Sequence, residues 1–104
     1  MTEGSRIIST NVTFRNMDAS EALRRYAVDK IGNCLRKFAR QDLEVNVVLR
    51  VEKIRQIVEI TFNYDGTVFN NREESDDMYK SIDNLIDSLT NQLRKHKDRA
   101  TSHH

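Results

Sequence analysis

The chain has no proline and no tryptophan, and only one cysteine and three glycines in 104 residues. Without proline-rich, low-complexity or repeated stretches there is no evident linker to divide it, so one domain is expected over residues 1–100, with 101–104 as a short tail. The single thiol, Cys34, has no partner for an internal disulfide and no second cysteine for a zinc knuckle, in keeping with a reducing compartment. Three glycines leave no glycine-rich phosphate loop. No apolar run approaches the ~18 residues that cross a bilayer. The opening MTEGSRIIST lacks the basic and apolar regions of a secretory leader, so a cytoplasmic protein without a membrane partner is expected.

What is present is an ordinary globular composition, 38% apolar and 32% charged, with a formal net charge of +1 that by itself gives no case for a polyanion. The distribution gives one. Residues 20–40 carry six basic against two acidic side chains, residues 65–91 seven acidic against two basic, and residues 92–104 four basic against one acidic. The basic stretches are the regions that favour a polyanion.

The pattern alternates at Arg6 to Phe14, where Ile8, Thr10, Val12 and Phe14 share one side of a short strand. From about Ser20 to Ala39 it turns helical, with Leu23, Tyr26, Ala27, Ile31, Cys34, Leu35 and Phe38 on one face and Asp18 or Ser20 as the cap. Gly32, in mid-helix, costs ~1 kcal/mol relative to alanine unless close packing requires it. Strands at Leu43–Lys53 and Gln56–Tyr64 each bury one face, and Asp65-Gly66 suits a tight hairpin turn. A fourth strand begins near Thr67. Asn70 to Glu74 give it no apolar face, so an edge strand, and a short one, is expected. From Asp77 to about Arg99, Met78, Ile82, Leu85, Ile86, Leu89 and Leu93 form a narrow stripe, with Asp76, Asp77 and Asp83 in the opening turns and Lys95, Lys97 and Arg99 in the closing ones. The order β-α-β-β-β-α predicts an α+β two-layer sandwich, a four-stranded sheet with both helices on one face.

Little in the chain suits catalysis. His96 falls in a basic helix end read as exposed, and His103 and His104 end the chain. The acidic group Glu73, Glu74, Asp76 and Asp77 matches no cation-loop spacing and reads as a solvated strand end and helix start. Cys34 shares a face with Ile31 and Phe38 and reads as core. No enzyme, metal or cofactor is expected. The outer face of the first helix is more informative, because Arg25, Lys30, Arg36, Lys37 and Arg40 occupy its solvent side. Arg94 and the rest of RKHKDR add a second basic cluster, which lies near the first if the helices pack side by side.

The segments DDMYKSIDNLIDSLTNQLRKHKD (76–98), SEALRRYAVDKI (20–31) and NVVLRVEK (46–53) resemble the ribosome hibernation promoting factors, also known as sigma-54 modulation or ribosome-associated inhibitor proteins. The resemblance runs from the first strand to about Arg99. It implies a fold akin to double-stranded RNA-binding domains. It also implies binding of the 30S subunit and 70S ribosome in the channel for transfer and messenger RNA, where basic side chains contact 16S rRNA and block translation. Matching positions are Arg24 and Lys30, Arg50 and Lys53, and Lys95 and Lys97. Arg25, Arg36, Lys37 and Arg94 join the expected rRNA-binding set from the helical wheel and the charge clusters. Long members carry a further dimerisation domain, so this chain reads as a short form or a shortened piece, a monomer off the ribosome, and the resemblance leaves open whether a second ribosome-pairing factor is a partner.

The sequence departs from the family pattern at Asn71 and Glu73, where small or apolar residues usually face the helices. Two rival readings are a general duplex-RNA binder, weakened by the acidic EESDD where the last helix of that fold is usually basic, and a sigma-54 transcription modulator.

Overall fold

The computed structural model describes residues 7–101, with side chains through residue 97. The elements are β1 (Ile8–Arg15), α1 (Glu21–Arg36), β2 (Leu43–Glu52), β3 (Arg55–Tyr64), β4 (Thr67–Ser75) and α2 (Met78–Thr101). The strands form one sheet in the order β1-β2-β3-β4, the first pair parallel and the others antiparallel. A parallel pair needs a crossover, and α1 supplies it. His103, His104 and the side chain of Arg99 lie outside the described residues.

Strand alternation sets the two layers. Val45, Val47 and Leu49 of β2 and Val58, Ile60 and Phe62 of β3 face the helices and join Leu23, Ala27, Ile31 and Leu35 of α1 and Ile82, Leu85, Leu89 and Leu93 of α2 in one core. Their register partners, Val45 with Phe62, Val47 with Ile60 and Leu49 with Val58, keep this face apolar across the pair. Burial of this kind contributes ~25 cal/mol per Å2 of apolar surface and holds the sheet against both helices.

The turns and caps follow from local chemistry. Ser20 caps α1, its Oγ accepting from the Leu23 N–H at 3.2 Å, so of the two expected caps it is Ser20 that acts. Asp65 and Gly66 both have positive φ, 58° and 76°, as the tight hairpin turn requires.

Several boundaries differ from expectation, each for a visible reason. α1 ends at Arg36, short of Ala39, because the chain tightens there: the Phe38 N–H donates to the Leu35 carbonyl at 3.0 Å. The freed Phe38 carbonyl accepts the Tyr64 hydroxyl at 3.0 Å. Asp77 lies outside α2 and caps it, its Oδ1 accepting from the Tyr79 N–H at 2.8 Å. Asp76 also precedes the helix, leaving no acidic residue in its first turn.

β4 is an edge strand, but it runs nine residues and is not short. Two of its three polar helix-facing side chains, Glu73 and Ser75, find partners in α2, while the buried Asn71 Oδ1 has none. Ser88 donates to Glu73 Oε2 at 2.8 Å, and Ser75 and Ser81 share a buried hydroxyl contact at 2.7 Å, with Ser81 also donating to the Gln56 carbonyl. Hydrogen bonds replace the missing apolar contacts.

Candidate nucleic-acid interface

The two helices run parallel. Near their starts the Tyr26 hydroxyl donates to Asp83 Oδ1, and further along Cys34 Sγ meets Thr90 Oγ1 at 3.4 Å. Numbering increases in the same direction along both, so both basic C-terminal ends come together at one end of the molecule. Each end also carries the negative pole of its helix dipole, which favours cations there.

Between the helices Lys30, Lys37 and Arg94 line a shallow groove floored by Cys34, Ile86 and Thr90. It continues past Lys37 and Phe38 into a cavity of about 420 Å3 that also has Arg40, Gln41, Tyr64, Asp65, His96 and Lys97 in its wall. The clusters expected to lie close if the helices packed side by side are thus one continuous surface. A cation-lined cleft of this kind concentrates anionic ligands.

Of the ten expected rRNA-binding residues, Lys30, Lys37, Arg94 and Lys97 line this groove. Arg25, Arg36 and Lys95 are exposed on the same two helices. Arg36 folds back to bond Asn33 Oδ1 at 2.8 Å, and its guanidinium lies 3.2 Å from where a Cβ on Gly32 would stand. Gly32 therefore serves no close approach of two backbones.

The other three residues lie elsewhere. The Arg24 guanidinium donates to the Val12 carbonyl at 3.3 Å, pairs with Glu21 and sits over the Phe14 ring at 5.2 Å. Arg50 projects from the sheet face turned away from the helices, 3.0 Å from Glu59 and 3.6 Å from Glu52, with its side chain only 20% exposed. Lys53 occupies the β2–β3 turn with φ 57°. Because β2 starts where α1 ends and runs away from it, Arg50 and Lys53 stand at the opposite end from the groove.

The reading of the sequence missed parts of the groove. His96, expected to be exposed, is half-buried: its ring packs against Tyr64 at 6.0 Å and Phe69 at 5.6 Å, and Nε2 lies 3.4 Å from Asp65 Oδ2. It extends the apolar stripe three residues beyond Leu93, which was a legible signal. Tyr64 was read only as a strand residue, and Arg40 only as part of the helix surface.

Groups that could suggest other chemistry are occupied. Glu73 bonds Ser88, Asp77 caps α2 and Glu74 pairs with Arg55 and Arg72. Among the described residues no three His, Cys, Asp or Glu side chains converge as metal ligands, and no helix is long and apolar enough to cross a membrane. Burial pushes the Cys34 thiol up from its ordinary value, disfavouring the nucleophilic thiolate. The hydrogen bond to Asp83 likewise raises Tyr26.

Fold and groove together define a two-layer α+β domain with a cationic cleft at one end. The chain belongs to the family described as Sigma 54 modulation protein / S30EA ribosomal protein, which residues 10–101 match. The ribosome hibernation promoting factors of Salmonella typhimurium and Escherichia coli strain K12 are each 39% identical to it over 93 residues, covering 89% of this chain and 97% of theirs. Among solved structures, a ribosomal subunit interface protein from Coxiella burnetii matches with a TM-score of 0.76 at 29% identity, over 86% of this chain and 97% of the other. The N-terminal domain of Thermus thermophilus Protein Y matches with a TM-score of 0.76 at 26% identity, over 86% and 98%.

Proposed function

We propose that this protein is a ribosome hibernation factor that occupies the small subunit in the tRNA and mRNA channel, contacts 16S rRNA through the groove between its helix ends, and thereby stops translation on idle ribosomes. The observation that carries the reading is the convergence of Lys30, Lys37, Arg94 and Lys97 on one cleft. The names of its relatives, ribosome hibernation promoting factor and ribosomal subunit interface protein, support it. The protein works by occupancy in the cytoplasm, as one ribosome-binding domain, and no covalent step is needed. Each cation near a phosphate releases a condensed counterion, so affinity falls steeply with salt.

A duplex-RNA binder is disfavoured at the start of α2, where Asp76 and Asp77 are both exposed and would repel a phosphate backbone. The test is co-sedimentation with vacant 70S ribosomes and isolated 30S subunits over a salt series, with duplex RNA as competitor. Saturable binding of about one protein per subunit that duplex RNA does not displace is expected. Absence of binding at low salt overturns the proposal and directs the search to polymerase components.

A further inference from the structure

The deep end of the groove holds more than charge. The cavity of about 420 Å3 lies within the roughly 300–1,000 Å3 of small-molecule sites. Its wall contains an aromatic corner in which Tyr64 donates to the Phe38 carbonyl at 3.0 Å and His96 leans on Tyr64 at 6.0 Å. Phosphates are held by cations, whereas aromatic faces offer a platform on which a base can stack. The carboxylate of Asp65, 3.4 Å from His96 and 67% exposed, would repel a phosphate placed at that corner. It can accept hydrogen bonds from the N–H edge of a nucleobase. In a duplex that edge is paired and the ring stacked, so neither is available. Lys37 and Arg40, also in the wall, supply the cations that flanking phosphates need.

We propose that this cavity takes one unpaired nucleotide of an RNA strand, its base against Phe38 and His96 beside Asp65 and its flanking phosphates on Lys37 and Arg40. The inference deepens the proposed ribosome-binding role and rests on it for the identity of the polyanion. It assigns the groove to a strand with an unstacked base, the arrangement in which aromatic side chains and a basic track act together.

The test uses the intact chain with a single-stranded oligoribonucleotide of about six nucleotides, an abasic ribose-phosphate strand of equal length and charge, and a free mononucleotide. Binding is read by fluorescence anisotropy, and the His96 ring is followed by NMR. The base-bearing strand is expected to bind roughly tenfold tighter than the abasic strand, the scale of one base–aromatic stack, and alone to shift the His96 signals. His96→Ala is expected to bring the affinities of the base-bearing and abasic strands to within about twofold of each other.

Equal affinity for the two strands overturns the proposal, and so does a base-dependent signal that leaves His96 unmoved. A mononucleotide that binds as tightly as the strand overturns the assignment to a strand. The comparison on the native protein stands even if the variant fails to fold. It is also independent of ribosome co-sedimentation, so a base-indifferent protein that still binds 30S subunits removes this proposal alone.

Discussion

The helix-end groove and the open face of the sheet both carry several cations, and they use them in opposite ways. On the open face Arg50 lies against Glu59 and Glu52, and Arg55 and Arg72 share Glu74. Ile57 is fully buried there between its register partners Arg50 and Glu74, whose long aliphatic stems can shield it. On that face Arg50, Arg55 and Arg72 each have a carboxylate partner. In the groove Lys30, Lys37, Arg40, Arg94 and Lys97 come together with Asp65 as the acidic side chain in the wall. The difference shows why a count of basic residues is a poor guide to a binding surface: what matters is how many carboxylates share the same face.

The comparison can be broken most forcefully by reversing charge in the groove. Lys37→Glu, Arg94→Glu and Lys97→Glu together are expected to weaken 30S binding at least about a hundredfold, given how strongly affinity depends on the number of phosphate contacts. The melting temperature should fall by only a few degrees, because the three side chains are exposed and a cation at a helix end contributes about 0.3–1 kcal/mol. Co-sedimentation beside thermal denaturation checks both halves, and undiminished binding would remove the groove from the interface.

On the open face the effects should trade places. Arg50→Ala is expected to lose about 1–2 kcal/mol of stability, since it strips Glu59 of its partner and uncovers Ile57. Ribosome affinity should stay within a few-fold, and denaturant titration together with sedimentation would reveal a loss of binding without a loss of stability if Arg50 instead touched RNA.

The smallest effect is expected at Gly32→Ala. The atoms nearest an added methyl belong to the Arg36 guanidinium, at 3.2–3.5 Å, which must give slightly, while the helix gains about 0.5–1 kcal/mol. A rise in denaturation midpoint with unchanged 30S affinity would set Arg36 outside the interface. A marked loss of affinity would place its guanidinium on RNA.

The same contrast shows what a sequence can and cannot reveal here. The six elements and their buried faces were legible because strand alternation and the α2 stripe report burial directly: Val45, Val47 and Leu49 had to face one way, as did Ile82, Leu85 and Leu89. The full length of β4 was hidden, since Asn71, Glu73 and Ser75 carry no apolar signal and two of them are satisfied by Ser88 and Ser81, which reach them only once the following helix folds back on the strand.

The groove was half legible. A helical wheel puts Lys30 and Lys37 in solvent, but only the parallel packing of α1 and α2 brings them beside Arg94. Pairing is a tertiary fact, so Arg50 looked as available as Lys37 until Glu59 was seen 3.0 Å away. His96 misled for a related reason, its basic neighbours outweighing its place on the apolar stripe.

The most direct test of the account is a cryo-electron microscopy structure of the protein on the vacant 30S subunit. The account predicts rRNA phosphates against Lys37, Arg94 and Lys97, with Arg50 still on Glu59 and the open sheet face clear of the RNA backbone. An orientation with the open face on rRNA and the helix ends in solvent would contradict it.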